Sequence, residues 1–103
     1  MAMALGLHEL ATNSAKYGAL STPAGRVSLT WTIDGEGPER RFRQAWREAG
    51  GPTVRSPIAT GFGTRLIEKG LARGVRGEAH LDYAASGFVF TLVAPLSSVL
   101  REV

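Results

Sequence analysis

Regular alternation of apolar and polar residues constrains the fold of this chain more than any other feature. Residues 26–34 carry an apolar side chain at every second position, and a glycine-rich turn leads into a second run that holds Phe42 and Trp46 on one side. Residues 76–83 and 87–95 repeat the pattern around another turn. Side chains two apart share one face of a strand, so each run has one apolar face. The pattern predicts two antiparallel hairpins of half-buried strands.

Apolar residues at helical spacing are found before the first pair of strands and between the two pairs. Residues 1–18 hold strong helix formers and no proline, and residues 62–72 return to helical spacing after an irregular loop over residues 49–63. The apolar stripe of the first helix consists of Met3, Leu7, Leu10 and Tyr17. The order of helix, two strands, loop, helix and two strands predicts an α+β fold. We expect a two-layer sandwich with both helices on one face of a mainly antiparallel sheet.

Length and composition exclude several classes of protein. A chain of 103 residues is long enough for one domain. The absence of cysteine excludes disulfides, cysteine-based zinc sites and thiol nucleophiles. No apolar run approaches the ~18 residues of a membrane span, and no basic segment precedes the apolar residues 1–7, so we expect a cytoplasmic chain without membrane contact. A net charge of +3 would attract an anion, either a nucleotide or a nucleic acid.

A polar stripe runs along the first helix beside the apolar one. Glu9, Asn13 and Lys16 are spaced i, i+4 and i+7, which brings a carboxylate, an amide and a cation to about one face. Such a row suits a metal-bound phosphate, although a solvated helix face gives the same pattern. A zinc-protease HExxH motif is excluded because Thr12 stands where the second histidine is required.

Two further segments carry candidate binding residues. Residues 61–64, with sequence GFGT, lead into a helix and could bind an anion through free backbone amides, or could be a loop that needs small residues. Glu48 ends a strand just before a glycine turn, where a carboxylate can accept a hydrogen bond from the exocyclic amine of adenine. The alternative for Glu48 is an exposed strand-end residue.

Three sequence blocks in order resemble one protein family. HELATNSAKYGAL at residues 8–20, WREAGGP at 46–52 and GFGTRLIE at 61–68 are similar to the N, G1 and G2 boxes of the HWE sensor histidine kinases. That family is named for a histidine and a Trp-x-Glu, which look like His8 and Trp46-x-Glu48. The closing hairpin is also similar, so the resemblance covers nearly the whole chain.

The resemblance implies the Bergerat fold of the GHKL ATPases, in which ATP lies between the helical layer and a lid. By position, Asn13 would ligate Mg²⁺ and Glu9 would orient phosphoryl transfer. His8 stands beside that metal site and belongs to the expected catalytic pair with Glu9, but we do not expect it to accept the phosphoryl group. Lys16 and Tyr17 would contact phosphate and the ribose side.

The remaining expected ATP-binding residues lie in the other two blocks. Glu48 would accept the adenine amine, with Trp46 in the same box and Gly50 and Gly51 bordering the base. The G2 box would close over the phosphates, with a short lid at residues 53–60. Its residues are Gly61, Phe62, Gly63, Thr64 and Arg65, and Arg65 stands where many relatives have a third glycine.

The expected function is therefore the ATP-binding catalytic domain of a two-component sensor histidine kinase, spanning residues 1–103. We expect a fragment that lacks the phosphoacceptor and dimerisation domain and the strand leading into the N box, and so does not autophosphorylate alone. Its partners would be that domain and a response regulator, with a homodimer possible. A degenerate domain that acts as an interaction module through an exposed sheet edge is the alternative. Scattered arginines and few aromatics argue against nucleic-acid binding.

Overall fold

The computed structural model of the protein describes residues 2–52, 72–84 and 86–102. Within these residues the helical segments are α1 (Ala2–Tyr17), α2 (Ala72–Gly74) and α3 (Leu96–Glu102), with 3-10 turns at Ala19–Ser21 and Gly37–Glu39. α1 confirms the first predicted helix. Nearly all of the helix predicted over residues 62–72, and most of the loop before it, lie outside the described residues. No helix in the described ranges is long and apolar enough to cross a bilayer.

Both predicted hairpins are confirmed. The strands are β1 (Arg26–Asp34), β2 (Arg41–Ala49), β3 (Glu78–Ala84) and β4 (Gly87–Pro95). β1 pairs with β2 and β3 with β4, and β2 also pairs with β4, all antiparallel. The order in the sheet is β1-β2-β4-β3. β1 and β4 have the bounds that the alternation predicts, whereas β3 begins at residue 78 and not at 76.

One face of this sheet carries the core. The register sets Trp46 of β2 opposite Phe90 of β4, so both side chains point to the same face. Leu10 of α1 and Val99 of α3 belong to the same buried cluster. α1 and α3 therefore pack on one face of the sheet, as expected for a two-layer α+β sandwich. The buried cluster comprises Leu10, Phe42, Trp46, Val75, Phe90, Leu92, Ala94, Leu96 and Val99.

The apolar stripe of α1 differs from the prediction at its last position. Tyr17 is 77% exposed, whereas Ser14 is only 1% exposed and takes the place next to Leu10 in the buried stripe. Ser14 stands four residues after Leu10, which is the spacing of one helix face. Its burial is tolerated because its hydroxyl is hydrogen-bonded to a residue of β2.

The prediction that β1 is half-buried is wrong for most of the strand. Leu29, Trp31 and Ile33 share the core-side face with β2, yet they are 37%, 63% and 53% exposed. β1 lies at one end of the described sheet, and the buried cluster involves β2 and β4 beneath the helices. The described helices α1 and α3 thus leave an exposed apolar row on β1.

A further polar group lies in the core face at the middle of β2. Gln44 is buried between Trp31 of β1 and Leu92 of β4 in the register. Within the described part of the chain, its side-chain oxygen Oε1 accepts no hydrogen bond. A buried acceptor without a partner costs about 1–3 kcal/mol.

Replacing Gln44 with methionine should therefore stabilise the fold. Gln44→Met keeps an unbranched side chain of similar length and removes the unpaired oxygen, so the free energy of unfolding should rise by about 1 kcal/mol. Urea unfolding of the parent and the variant measures this difference. A less stable Gln44→Met variant would show that Oε1 has a hydrogen-bond partner in solution.

Candidate functional site

The candidate site lies where the end of β2 meets the end of α1. Glu48, the residue before the last of β2, is 8% exposed. Its Oε1 accepts a hydrogen bond of 3.0 Å from the Ser14 hydroxyl and one of 2.9 Å from the backbone N–H of Ala19. Ser14 Oγ in turn accepts the N–H of Leu20 at 3.2 Å. The carboxylate therefore joins β2 to the last turn of α1 and to the turn that follows it.

The second oxygen of Glu48 is held from its own strand. The indole N–H of Trp46 donates to Glu48 Oε2 at 2.8 Å. Residues two apart on a strand point to the same face, and a side chain as long as tryptophan can reach its i+2 neighbour. The Trp-x-Glu spacing thus places the indole N–H within hydrogen-bonding distance of the glutamate. Trp46, an expected ATP-binding residue, is itself buried in the core cluster.

Close packing around the carboxylate requires small residues. A Cβ added at Gly18 would overlap Glu48 Oε1 and would lie 3.1 Å from the Cα of Ser14. Gly50 has a φ of 74°, which favours glycine, and a Cβ at Gly51 would lie 2.5 Å from the Cα of Ala19. These glycines let the turn after β2 pack against the segment after α1. That Gly50 and Gly51 border an adenine base remains a prediction.

The predicted polar stripe lies on α1. Glu9 and Asn13 are partly exposed, and Lys16 and His8 are exposed. Tyr17, also exposed, is the last residue of the helix. Asn13 directly precedes Ser14, whose hydroxyl donates a hydrogen bond to Glu48.

The donor set of the stripe fits a magnesium ion that is bound mostly through phosphate. An amide oxygen and a carboxylate one helical turn apart are hard oxygen ligands. In the described ranges, no three His, Asp or Glu side chains gather into a group that could hold a metal. Asn13 and Glu9 offer two oxygen ligands, so a divalent ion held by both would complete its coordination with other oxygens, such as those of phosphate and water.

The third predicted block lies outside the described residues. This holds for Gly61, Phe62, Gly63, Thr64 and Arg65 and for the lid expected at residues 53–60.

Three contributors to the site were not identified from the sequence. They are the Ser14 hydroxyl, the Ala19 N–H and the space left by Gly18. The spacing from Leu10 signals that Ser14 faces the core, and a buried serine indicates a hydrogen-bond partner. Nothing in the sequence points to the Ala19 backbone donor.

Comparison with known proteins gives consistent results for sequence and fold. The chain is 39% identical over 97 residues to a blue-light-activated histidine kinase of Brucella ovis and 40% identical over 98 residues to that of Brucella anthropi. These alignments cover 94% and 95% of this chain and 20% of each relative. The chain therefore spans about a fifth of the length of these curated relatives. No family model matches it.

Two solved structures share the fold. The histidine kinase domain of the Erythrobacter litoralis EL346 blue-light-activated histidine kinase superposes with a TM-score of 0.74 at 19% identity, covering 96% of this chain and 49% of that one. A longer structure of the same kinase gives 0.74 at 18% identity, covering 97% of this chain and 31% of that one. The fold is that of a histidine kinase domain, in agreement with the expected Bergerat-type sandwich. With the Brucella alignments, this shows that nearly the whole chain is similar to one part of a histidine kinase.

Adding a methyl group at Gly18 should disturb the Glu48 carboxylate. Gly18 has a φ of −109°, which any residue adopts, so Gly18→Ala should cause no backbone strain. Its cost comes from the overlap of the new Cβ with Glu48 Oε1 and from its close approach to the Cα of Ser14. We expect a loss of about 1–3 kcal/mol in the free energy of unfolding.

A double-mutant cycle with Glu48→Ala isolates this contact. Gly18→Ala should cost clearly less stability in the Glu48→Ala background, because the overlapping oxygen is gone. Equal costs in both backgrounds, measured by urea unfolding, would show that Gly18 is not packed against the carboxylate.

Proposed function

We propose that the chain is the ATP-binding catalytic domain of an HWE-type sensor histidine kinase, with residues 1–103 as one domain. The single observation that carries this proposal is the Glu48 carboxylate, held at the end of α1 by three donors. Glu48 is the glutamate of the Trp-x-Glu motif, and the three sequence blocks that resemble the HWE boxes include it.

The hydrogen bonds of Glu48 leave one acceptor position for a ligand. A carboxylate has about four lone-pair sites. Among the described residues, two donors occupy Oε1 and one occupies Oε2, so one site on Oε2 remains. The exocyclic amine of adenine is a donor that matches it, and Gly50 and Gly51 would border the ring.

The polar stripe of α1 would bind the phosphate end of the nucleotide. Asn13 would supply an oxygen ligand to Mg²⁺, and Lys16 would neutralise phosphate charge. When bound, Mg²⁺ supplies charge neutralisation along the phosphates. Glu9 would orient the transfer, with His8 beside it, and Tyr17 would contact the ribose side. Closure over the phosphates would fall to residues 61–65.

The partners follow from this assignment. The γ-phosphoryl group would pass to a histidine on a separate dimerisation domain and then to a response regulator. Positioning of the two reacting groups, together with charge neutralisation by Mg²⁺, contributes most of the catalysis in such transfers. We propose that the chain works in the cytoplasm and does not autophosphorylate without its partner domain.

Thermal unfolding with and without excess Mg-ADP tests the proposal. A ligand at 100 times its Kd adds about 2.7 kcal/mol to the free energy of unfolding, so the parent chain should melt several degrees higher with Mg-ADP. No shift in a well-folded sample would overturn the proposed nucleotide site.

The thermal shift in two variants tests which residues bind the nucleotide. Asn13→Ala should remove the magnesium-dependent part of the shift, since it removes the proposed ligand, and Glu48→Ala should remove most of the shift. Glu36→Ala, at an exposed glutamate in the β1–β2 turn, is the matched control and should keep the full shift. Parent-like shifts in both site variants would contradict the assignment.

An interaction module is the second candidate function, and the apolar row of Leu29, Trp31 and Ile33 favours it. Exposed apolar side chains on a strand at the end of the described sheet suit pairing with a second copy of the chain. A dimer in sedimentation, without nucleotide binding and weakened by Trp31→Lys, would support this function. A monomer at all concentrations would exclude it.

A further inference from the structure

We propose that Trp46 and Ser14 are positioning residues, which orient the Glu48 carboxylate so that its free acceptor position meets the amine of adenine. This inference rests on the proposed function, since it assigns two residues to the same nucleotide site. Neither side chain needs to touch the nucleotide. Both act through Glu48.

The indole of Trp46 fixes Oε2. It belongs to the buried core cluster and stands opposite Phe90 of β4 in the register, so the ring cannot turn without disturbing the core. Its N–H therefore has a fixed direction, and it meets Oε2 at 2.8 Å. An indole N–H donates and cannot accept. Trp46 thus occupies one lone pair of Oε2, and no other residue in the described part of the chain donates to the second lone pair.

The hydroxyl of Ser14 fixes the other oxygen from the helix. It donates to Oε1 at 3.0 Å and accepts the N–H of Leu20 at 3.2 Å, so its rotation is set by two partners. Because Trp46 and Ser14 hold different oxygens from different elements, the carboxylate plane is defined. A rotated carboxylate would still be buried and charged, but its free lone pair would point elsewhere.

The relative affinity for two nucleotides that differ in the base shows whether Trp46 and Ser14 position the carboxylate or only stabilise the fold. Purine riboside diphosphate differs from ADP only in lacking the 6-amino group, so it gains nothing from an oriented Glu48. A variant that only weakens the fold should lower the affinity for both nucleotides by the same factor. A variant that releases the carboxylate should lower the affinity for ADP alone.

Calorimetric titration of the 103-residue chain with Mg²⁺ and each nucleotide measures this preference. In Trp46→Phe and Ser14→Ala the preference for ADP over purine riboside diphosphate should fall about tenfold, which is the loss of one hydrogen bond to a charged group. The matched controls are Trp31→Phe, at an exposed tryptophan, and Ser98→Ala, at a buried serine of α3. Both controls should keep the preference of the parent.

The outcomes distinguish this inference from the proposed function. A parent chain that binds neither nucleotide overturns the proposed function and the inference with it. A parent that prefers ADP, with variants that keep that preference, overturns the inference alone. If Trp46→Phe does not fold, Ser14→Ala decides, because removing one oxygen leaves the core intact.

Discussion

A buried carboxylate with three hydrogen-bond donors holds the end of β2 against the end of α1. Leaving a carboxylate in the interior without partners is costly, so the structure around Glu48 is constrained to supply donors. A serine of the helix, a backbone N–H of the following turn and an indole of the same strand do so. Gly18 must lack a side chain because the carboxylate occupies that space. The relative position of α1 and β2 follows from these contacts.

The described helices cover the sheet unevenly, and the site lies at the end of α1. α1 and α3 share one buried cluster with β2 and β4, while the apolar row of β1 stays exposed. His8 and Lys16 of α1 are exposed and Glu9 and Asn13 are partly exposed, while Ser14 near the end of the helix is hydrogen-bonded to Glu48. A ligand at the end of α1 would therefore contact buried protein on one side and water on the other.

Much of the fold was predictable because alternation is a local signal. β1 and β4 have the bounds that the sequence predicts, and both hairpins form. The exposure of Trp31 was not predictable, because it depends on which strands the helices cover. α3 was missed because seven residues give too little periodicity, although Leu96 and Val99 have helical spacing. In the site, Glu48 was predictable from its motif, whereas its donors depend on tertiary contacts.

The hydrogen bonds of Glu48 also have a consequence for folding. They reach 34 and 29 residues back along the chain, to Ser14 and Ala19, and across the whole of the first hairpin. Closing such a loop costs chain entropy, and the donors are brought together only after it closes. A chain with α1 and the hairpin formed but undocked would contain the full Trp-x-Glu motif and no oriented acceptor. Any ligand that selects the oriented carboxylate would therefore stabilise the docked state over the undocked one.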